Sequence, residues 1–314
     1  MVERTFRALW TVLFRWFASQ RPGITCSTCR VRGSGHGSGG VGDEASADRN
    51  TGLGRRVRRG NGVWQQPPAG ETDTTELAKK TQNPVSDLIS VPLQFNFNTG
   101  GDLNDATSFN LNIQPVIPFK LTSEWNVIAR TIVPIDSVPG SEGVSYSGVG
   151  DIQLQLYLTP ATPGALIYGI GPVFSFPTAT APPLRTGTWA AGLGFVALTM
   201  KGPWVIGGLV TQLWPISDTG GDPRTNLLVL QPAVNYNFGR GWAMSFSPSI
   251  TANWDGSAGN QWTVPLGLGI TKTTVFNGRP MNVGLQYFDN VERPQGSAGY
   301  QLRLAISLLY PEKK

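Results

Sequence analysis

Histidine is almost missing from this chain: His36 is its only one. A Ser-His hydrolase needs an imidazole beside its nucleophile. His36 sits in a glycine-rich stretch, away from every patterned segment, so that chemistry is excluded. Cysteine is nearly as scarce. Cys26 and Cys29 are the two the chain has, and everything after them must hold together without disulfides. A lone C-x-x-C with no second pair makes no zinc site, and a thioredoxin-like context is lacking. No cluster of metal ligands or paired carboxylates stands out, so no metal, cofactor or enzymatic activity is expected. Charged residues make up only 14% of the chain. Even so, no apolar run approaches the roughly 20 residues of a spanning helix. That excludes a helical membrane protein. It does not exclude a membrane barrel, whose apolar residues occupy every second position.

The net charge of +5 belongs to one end. Residues 1–80 hold 13 Lys and Arg against 7 Asp and Glu, and residues 81–314 hold 12 against 13. The body therefore offers no basic face, and no nucleic-acid partner is expected. Met1–Gln20 resembles an export signal only in outline, because Arg15 interrupts its short apolar run and no A-x-A site follows. A basic amphipathic anchor is the weaker alternative. Residues 21–70 are of low complexity, with GSGHGSGG at Gly33–Gly40 and RRVRR at Arg55–Arg59. The glycine run follows no strand and opens no helix, which makes it a poor phosphate loop. Residues 1–73 are expected to be disordered, and part of them to lie upstream of the true start. Thr74–Gln82 reads as a short helix, capped by Thr75 and ended by Pro84.

What the chain has in abundance is glycine, proline and alternation. The last segment shows the pattern best. In Tyr300–Tyr310, Leu302, Leu304, Ile306 and Leu308 share one face with the two tyrosines, and Gln301, Arg303, Ala305 and Ser307 share the other. Eleven earlier segments repeat it: 93–98, 108–119, 125–136, 150–159, 165–176, 188–199, 204–216, 226–238, 242–254, 261–271 and 281–288. The segment 204–216 is the least clean, being apolar on both faces. Connections alternate between tight ones (KLTSE, PATPG, KGP, GRG) and longer Gly/Pro/Asp-rich ones (SVPGSEGVSYSG, PTATAPPLRTG). Short turns at one end and long loops at the other are expected of an outer-membrane barrel. Trp125, Trp189, Trp204, Trp214, Trp242, Trp254 and Trp262 sit at or near strand ends, as does Tyr310. Core tryptophans have no such preference, whereas interfacial girdles do. The pattern favours an all-β, antiparallel up-and-down transmembrane β-barrel of about 12 strands over a soluble β-sandwich or propeller.

The stretch ELAKKTQNPVSDLISVPLQFNFN (Glu76–Asn98), with Asn83-Pro84-Val85 and Asp87–Pro92, resembles the start of a bacterial outer-membrane transporter-like family. Its members carry the labels "neuromedin U" or "putative meta-pathway of phenol degradation". VGDIQLQLYLTP (Val149–Pro160) and GIGPVFSFPTAT (Gly169–Thr180) are similar to it as well. The resemblance covers roughly residues 75–314. It implies a Gram-negative outer-membrane location and passage of small, apolar or aromatic solutes. Assembly-machinery contact through the C-terminal strand is also expected.

The expected layout is a tail (1–73), a helix and lead-in (74–91) and a barrel (92–314). In the lead-in, Leu88, Ile89 and Val91 are expected to pack inside as a plug. Twelve strands at a tilt near 40° give a Cα radius of about 12 Å. The inner face should be Asn, Gln, Ser, Thr and Gly, with few charges, suited to neutral or weakly polar solutes and weakly ion-selective. Arg130 and Arg303 are the mid-strand cations. Arg130 is expected near Gln153, Gln155 and Asp151, with Tyr157 also a lumen candidate, and Arg303 near Asn96 and Asn98. Two roles are open for them: a constriction that orients solute, or a polar network filling the lumen. Lys272 should point outward near a short-turn end and snorkel. A barrel that does not transport, serving as a structural or surface-interaction protein, is the alternative function.

Overall fold

The structure is a computed structural model. It describes residues 76–85, 88–101, 106–140, 144–185, 187–217, 224–276 and 279–310. The expectations for residues 1–73, including Cys26, Cys29 and His36, and the cap at Thr75 lie outside the described residues.

After a short helix over residues 76–81, every element among the described residues but one 3-10 turn is a strand. In order they are β1 (Ile89–Thr99), β2 (Ser108–Ile113), β3 (Val116–Lys120), β4 (Trp125–Pro139), β5 (Ser145–Val149), β6 (Ile152–Pro160), β7 (Leu166–Phe176), β8 (Ala190–Lys201), β9 (Trp204–Pro215), β10 (Leu227–Gly239), β11 (Trp242–Phe246), β12 (Ile250–Asn253), β13 (Trp262–Phe276), β14 (Arg279–Glu292) and β15 (Tyr300–Tyr310). Each pairs antiparallel with its neighbours, and β15 runs along β1 from Ile89↔Tyr310 to Thr99↔Tyr300, which closes the sheet. Three staves are each built from two strands: β2 with β3, β5 with β6, and β11 with β12. The result is a closed 12-stave barrel.

The breaks have local causes. Pro115 and Pro248 have no N–H to give the ladder, so pairing lapses beside them. Between β5 and β6 the partners of β4 jump from Ile135↔Val149 to Ile132↔Gln153, which leaves one extra residue at Gly150–Asp151, a bulge.

The outer face is apolar where it meets no protein. Leu166, Tyr168, Ile170, Leu193, Phe195, Ile206, Val210, Leu266, Leu268, Ile270 and Leu285 are all exposed. An exposed apolar band of this size marks contact with something apolar and has the pattern of a membrane barrel. Aromatics border it at both ends. Trp204, Tyr236 and Phe238 interlock edge to face at the short-turn end, and Trp254 and Trp262 do so at the other, with centroids 5.7 Å apart. Trp204 and Trp214 bracket β9. Their spacing of about ten residues is about 33 Å of strand, or about 25 Å across a bilayer at a tilt near 40°. Trp125, Trp242 and Tyr310 lie at the short-turn end, and Trp189 lies at the long-loop end. Lys272 sits on this outer face beside Trp242. It donates to the Arg240 carbonyl at 2.6 Å and lies over the indole at 4.9 Å.

Strand β1 starts at Ile89, earlier than the pattern suggested. Ile89 and Val91 pair with Tyr310 and Leu308 on the outward face. They are therefore barrel wall, not plug, because side chains alternate and Leu93, Phe95 and Phe97 fix that face.

Candidate functional site

The inward positions of successive staves fall in direct register along one row. It runs Gly148, Asp136, Asn110, Asn96, Arg303, Gln286, Gly269, Ser245, Asn235. Tilted staves make such a row slant, so it descends from the long-loop rim to the short-turn end. From Asp136 to Arg303 its side chains bond one to the next. Asn110 donates to Asp136 at 2.6 Å and Asn96 to Asn110 at 2.9 Å. Arg303 Nε donates to Asn96 at 2.8 Å, and Gln286 donates to Ser247 at 2.8 Å. Arg303 also reaches the Ser247 carbonyl, three staves away, at 3.1 Å. It can do so because β13 presents glycine, Gly267 and Gly269, beneath it. Asn98, the other expected neighbour, takes a bond from Gln301 at 2.7 Å.

Arg130 lies on β4, three staves from Arg303 and nearer the short-turn end than Asp136, and is bound differently. It donates to Gln155 at 3.2 Å and Gln114 at 2.6 Å, and Tyr157 donates to the same Gln155 oxygen at 3.0 Å. Gln153 shares their face, paired with Ile132 and Ser175. Tyr157 is only 1% exposed, covered by its neighbours rather than open to the lumen. Its ring lies over Gly194, where an added Cβ would sit 2.9 Å from the ring edge and hydroxyl. The ring is a wall-filling piece, and it needs a glycine beneath it.

The inner face is not polar all round. Val173, Val196, Leu198, Val205, Leu209 and Leu213 are buried on the inner side of β7, β8 and β9. This corrects the expectation of an Asn/Gln/Ser/Thr/Gly lining, which from β10 through β15 to β4 is mixed: Asn96, Asn235, Ser245, Thr273 and Gln286 are there, but so are the buried Phe288, Ile128 and Val116. The apolar character of both faces of 204–216 was the signal for it.

Asp151 belongs to the mouth. It accepts from the backbone N–H of Ala179 at 3.0 Å and of Gly187 at 3.3 Å. The β7–β8 loop is thereby tied against the inner wall. Thr178 and Thr180 add bonds to the backbone of residues 149–152. Gly148 makes the approach possible, since a Cβ there would collide with Thr180 and Leu184. Gly148→Val is expected to lift this loop and to speed trypsin cleavage after Arg185 by about tenfold. Unchanged cleavage in a folded barrel would mean the loop is held some other way.

The lead-in reaches the lumen with other residues than expected. Val85 packs with Val116, Ile128, Tyr157, Val196 and Leu209. Gln82 and Asn237 exchange amide bonds at 3.0 and 3.3 Å, and Ala78 is buried.

At the long-loop end a cavity of about 440 Å³ opens between β1, β2, β4, β13, β14 and β15. Arg303 and Gln301 border it, as do Asn98 and Asn290, with Val138, Pro139 and Pro265 as apolar wall.

No protein-family model matches the sequence, and no curated protein does. Among solved structures, an outer membrane channel from Pseudomonas putida F1 overlays with a TM-score of 0.54 at 15% identity, covering 71% of this chain and 96% of that one. A bacterial polysaccharide outer membrane secretin (TM-score 0.36, 11% identity) and Salmonella typhi OmpF (TM-score 0.30, 12% identity) overlay too weakly to carry an argument. The chain has the fold of an outer-membrane channel, and at this identity the likeness is one of fold.

Proposed function

We propose that the chain is a channel of the bacterial outer membrane that lets small solutes with apolar or aromatic bodies pass down their gradient. The observation that supports this best is the two-sided inner wall inside a lipid-suited outer face. A polar row runs from β10 through β15 to β4, and an apolar sector faces it on β7, β8 and β9. Such a lining offers bonds to a polar group and a dry surface to an apolar body. Catalysis has no part in this reading. Lipid surrounds the barrel, and the barrel-assembly machinery engages it through β15.

The test is refolding in detergent followed by liposome swelling. Unboiled protein should migrate differently from boiled protein, as a closed barrel does, and liposomes carrying it should swell in small solutes such as benzyl alcohol or arabinose. A heat shift without swelling would favour the second reading, a barrel that does not transport. That reading draws on the burial of Ile128, Tyr157 and Val85 at mid-lumen.

A further inference from the structure

We infer that the cavity at the long-loop mouth binds small organic anions, with Arg303 holding the carboxylate. The inference rests on the channel reading only for what happens to the anion afterwards.

Arg303 is 7% exposed, yet all its partners are neutral: Asn96 Oδ1, the Ser247 carbonyl, Gln301 Oε1 and the ring of Phe288. Among the described residues no carboxylate lies within ion-pair distance of it. The nearest acid along the row, Asp136, is separated from it by two amides, and Asn110 already donates to Asp136. A buried cation without a counter-charge is costly, so an anion that supplies the charge is favoured there. The guanidinium is also held for the task. One N–H on Nε and one on each terminal nitrogen are committed, and the ring of Phe288 lies 4.9 Å from Cζ. One N–H therefore remains on each terminal nitrogen. A planar, pinned fork suits the two oxygens of a carboxylate better than a single-point acceptor.

The cavity selects beyond charge. Its volume of about 440 Å³ falls within the roughly 300–1,000 Å³ of small-molecule sites. Val138, Pro139 and Pro265 give an apolar surface for the rest of the molecule. An aromatic or short aliphatic carboxylate satisfies both halves. A neutral alcohol satisfies one, and inorganic sulfate the other.

Calorimetry on the refolded full chain with benzoate, benzyl alcohol and sulfate tests this. Benzoate should bind about tenfold tighter than either of the others, and Arg303→Gln should weaken benzoate about tenfold while leaving benzyl alcohol unchanged. Equal binding of benzoate and benzyl alcohol to the wild-type protein would overturn the site, and so would an unaltered benzoate affinity in Arg303→Gln. The comparison on wild-type protein decides the matter if that variant does not refold. Bilayer recordings separate this from the channel reading. Arg303-dependent benzoate binding in a barrel that never conducts retains the site and removes the channel. Conduction in a barrel without such binding does the reverse.

Discussion

Replacing Tyr157 by alanine is expected to lower the stability of the barrel by about 3–5 kcal/mol, the range for deleting a fully buried aromatic side chain. The ring belongs to one apolar cluster that joins four further strands: Ile128 on β4, Val196 on β8, Leu209 on β9 and Val116 on β3. It also fills the space above Gly194, whose missing side chain nothing else can supply. Loss of the hydroxyl alone is a smaller matter. Tyr157→Phe removes one donor to Gln155, which Arg130 still serves, and should cost about 1 kcal/mol. Urea unfolding followed by tryptophan fluorescence in detergent reads both variants. A loss near 1 kcal/mol for the alanine variant as well would mean that the cluster around Tyr157 does not hold the wall together. Gly194→Ala approaches the same point from below, because its Cβ would press on the ring and on Val173.

Much of this was written in the alternation. Leu302, Leu304, Ile306 and Leu308 opposite Gln301, Arg303 and Ser307 left no choice about which face turns outward. One neighbour of each arginine followed from hairpin register, since Gln155 and Asn96 are the direct partners of Arg130 and Arg303; Gln114, Gln301 and the Ser247 carbonyl did not, and Asp151 binds the β7–β8 loop rather than Arg130. Alternation says nothing about what a face meets once it turns inward. Leu209 lies in the one segment that reads as apolar on both faces, and only closure of the sheet makes it, with Val173 and Val196, a wall of the lumen. The same limit explains Asp151. Its position on the inner face was readable, but its task of binding the β7–β8 loop depends on a long connection folding back. No local pattern encodes that return. The lead-in failed for a different reason. Ile89 and Val91 are as apolar as Val85, and composition cannot distinguish wall from plug. The distinction comes from where β1 begins to pair with β15.

The segment around Val85 also carries the prediction that bears most directly on conduction. A variant with Gln82→Ala and Val85→Ser is expected to raise the open fraction in bilayer recordings by at least about tenfold. Two kinds of contact hold the lead-in in the lumen. One is the reciprocal amide pair with Asn237, whose own amide is oriented by a bond to the Pro203 carbonyl at 2.9 Å. The other is the apolar seat of Val85 among Val116, Ile128, Tyr157, Val196 and Leu209. Removing the first gives up about 1 kcal/mol and removing the second about 1.5 kcal/mol or more. Each 1.4 kcal/mol shifts a two-state equilibrium about tenfold, so the pair is enough to change the population seen. The lead-in is continuous with β1, so release of its contacts is expected to open the lumen without detaching it. No ladder bond of the barrel is touched, so heat-dependent migration on gels should be unchanged. Val85→Ile, which keeps the apolar seat, should conduct like the wild type. An open fraction that stays the same in the double variant, in a barrel that still shows the heat shift, would mean that residues 76–85 do not control the pore.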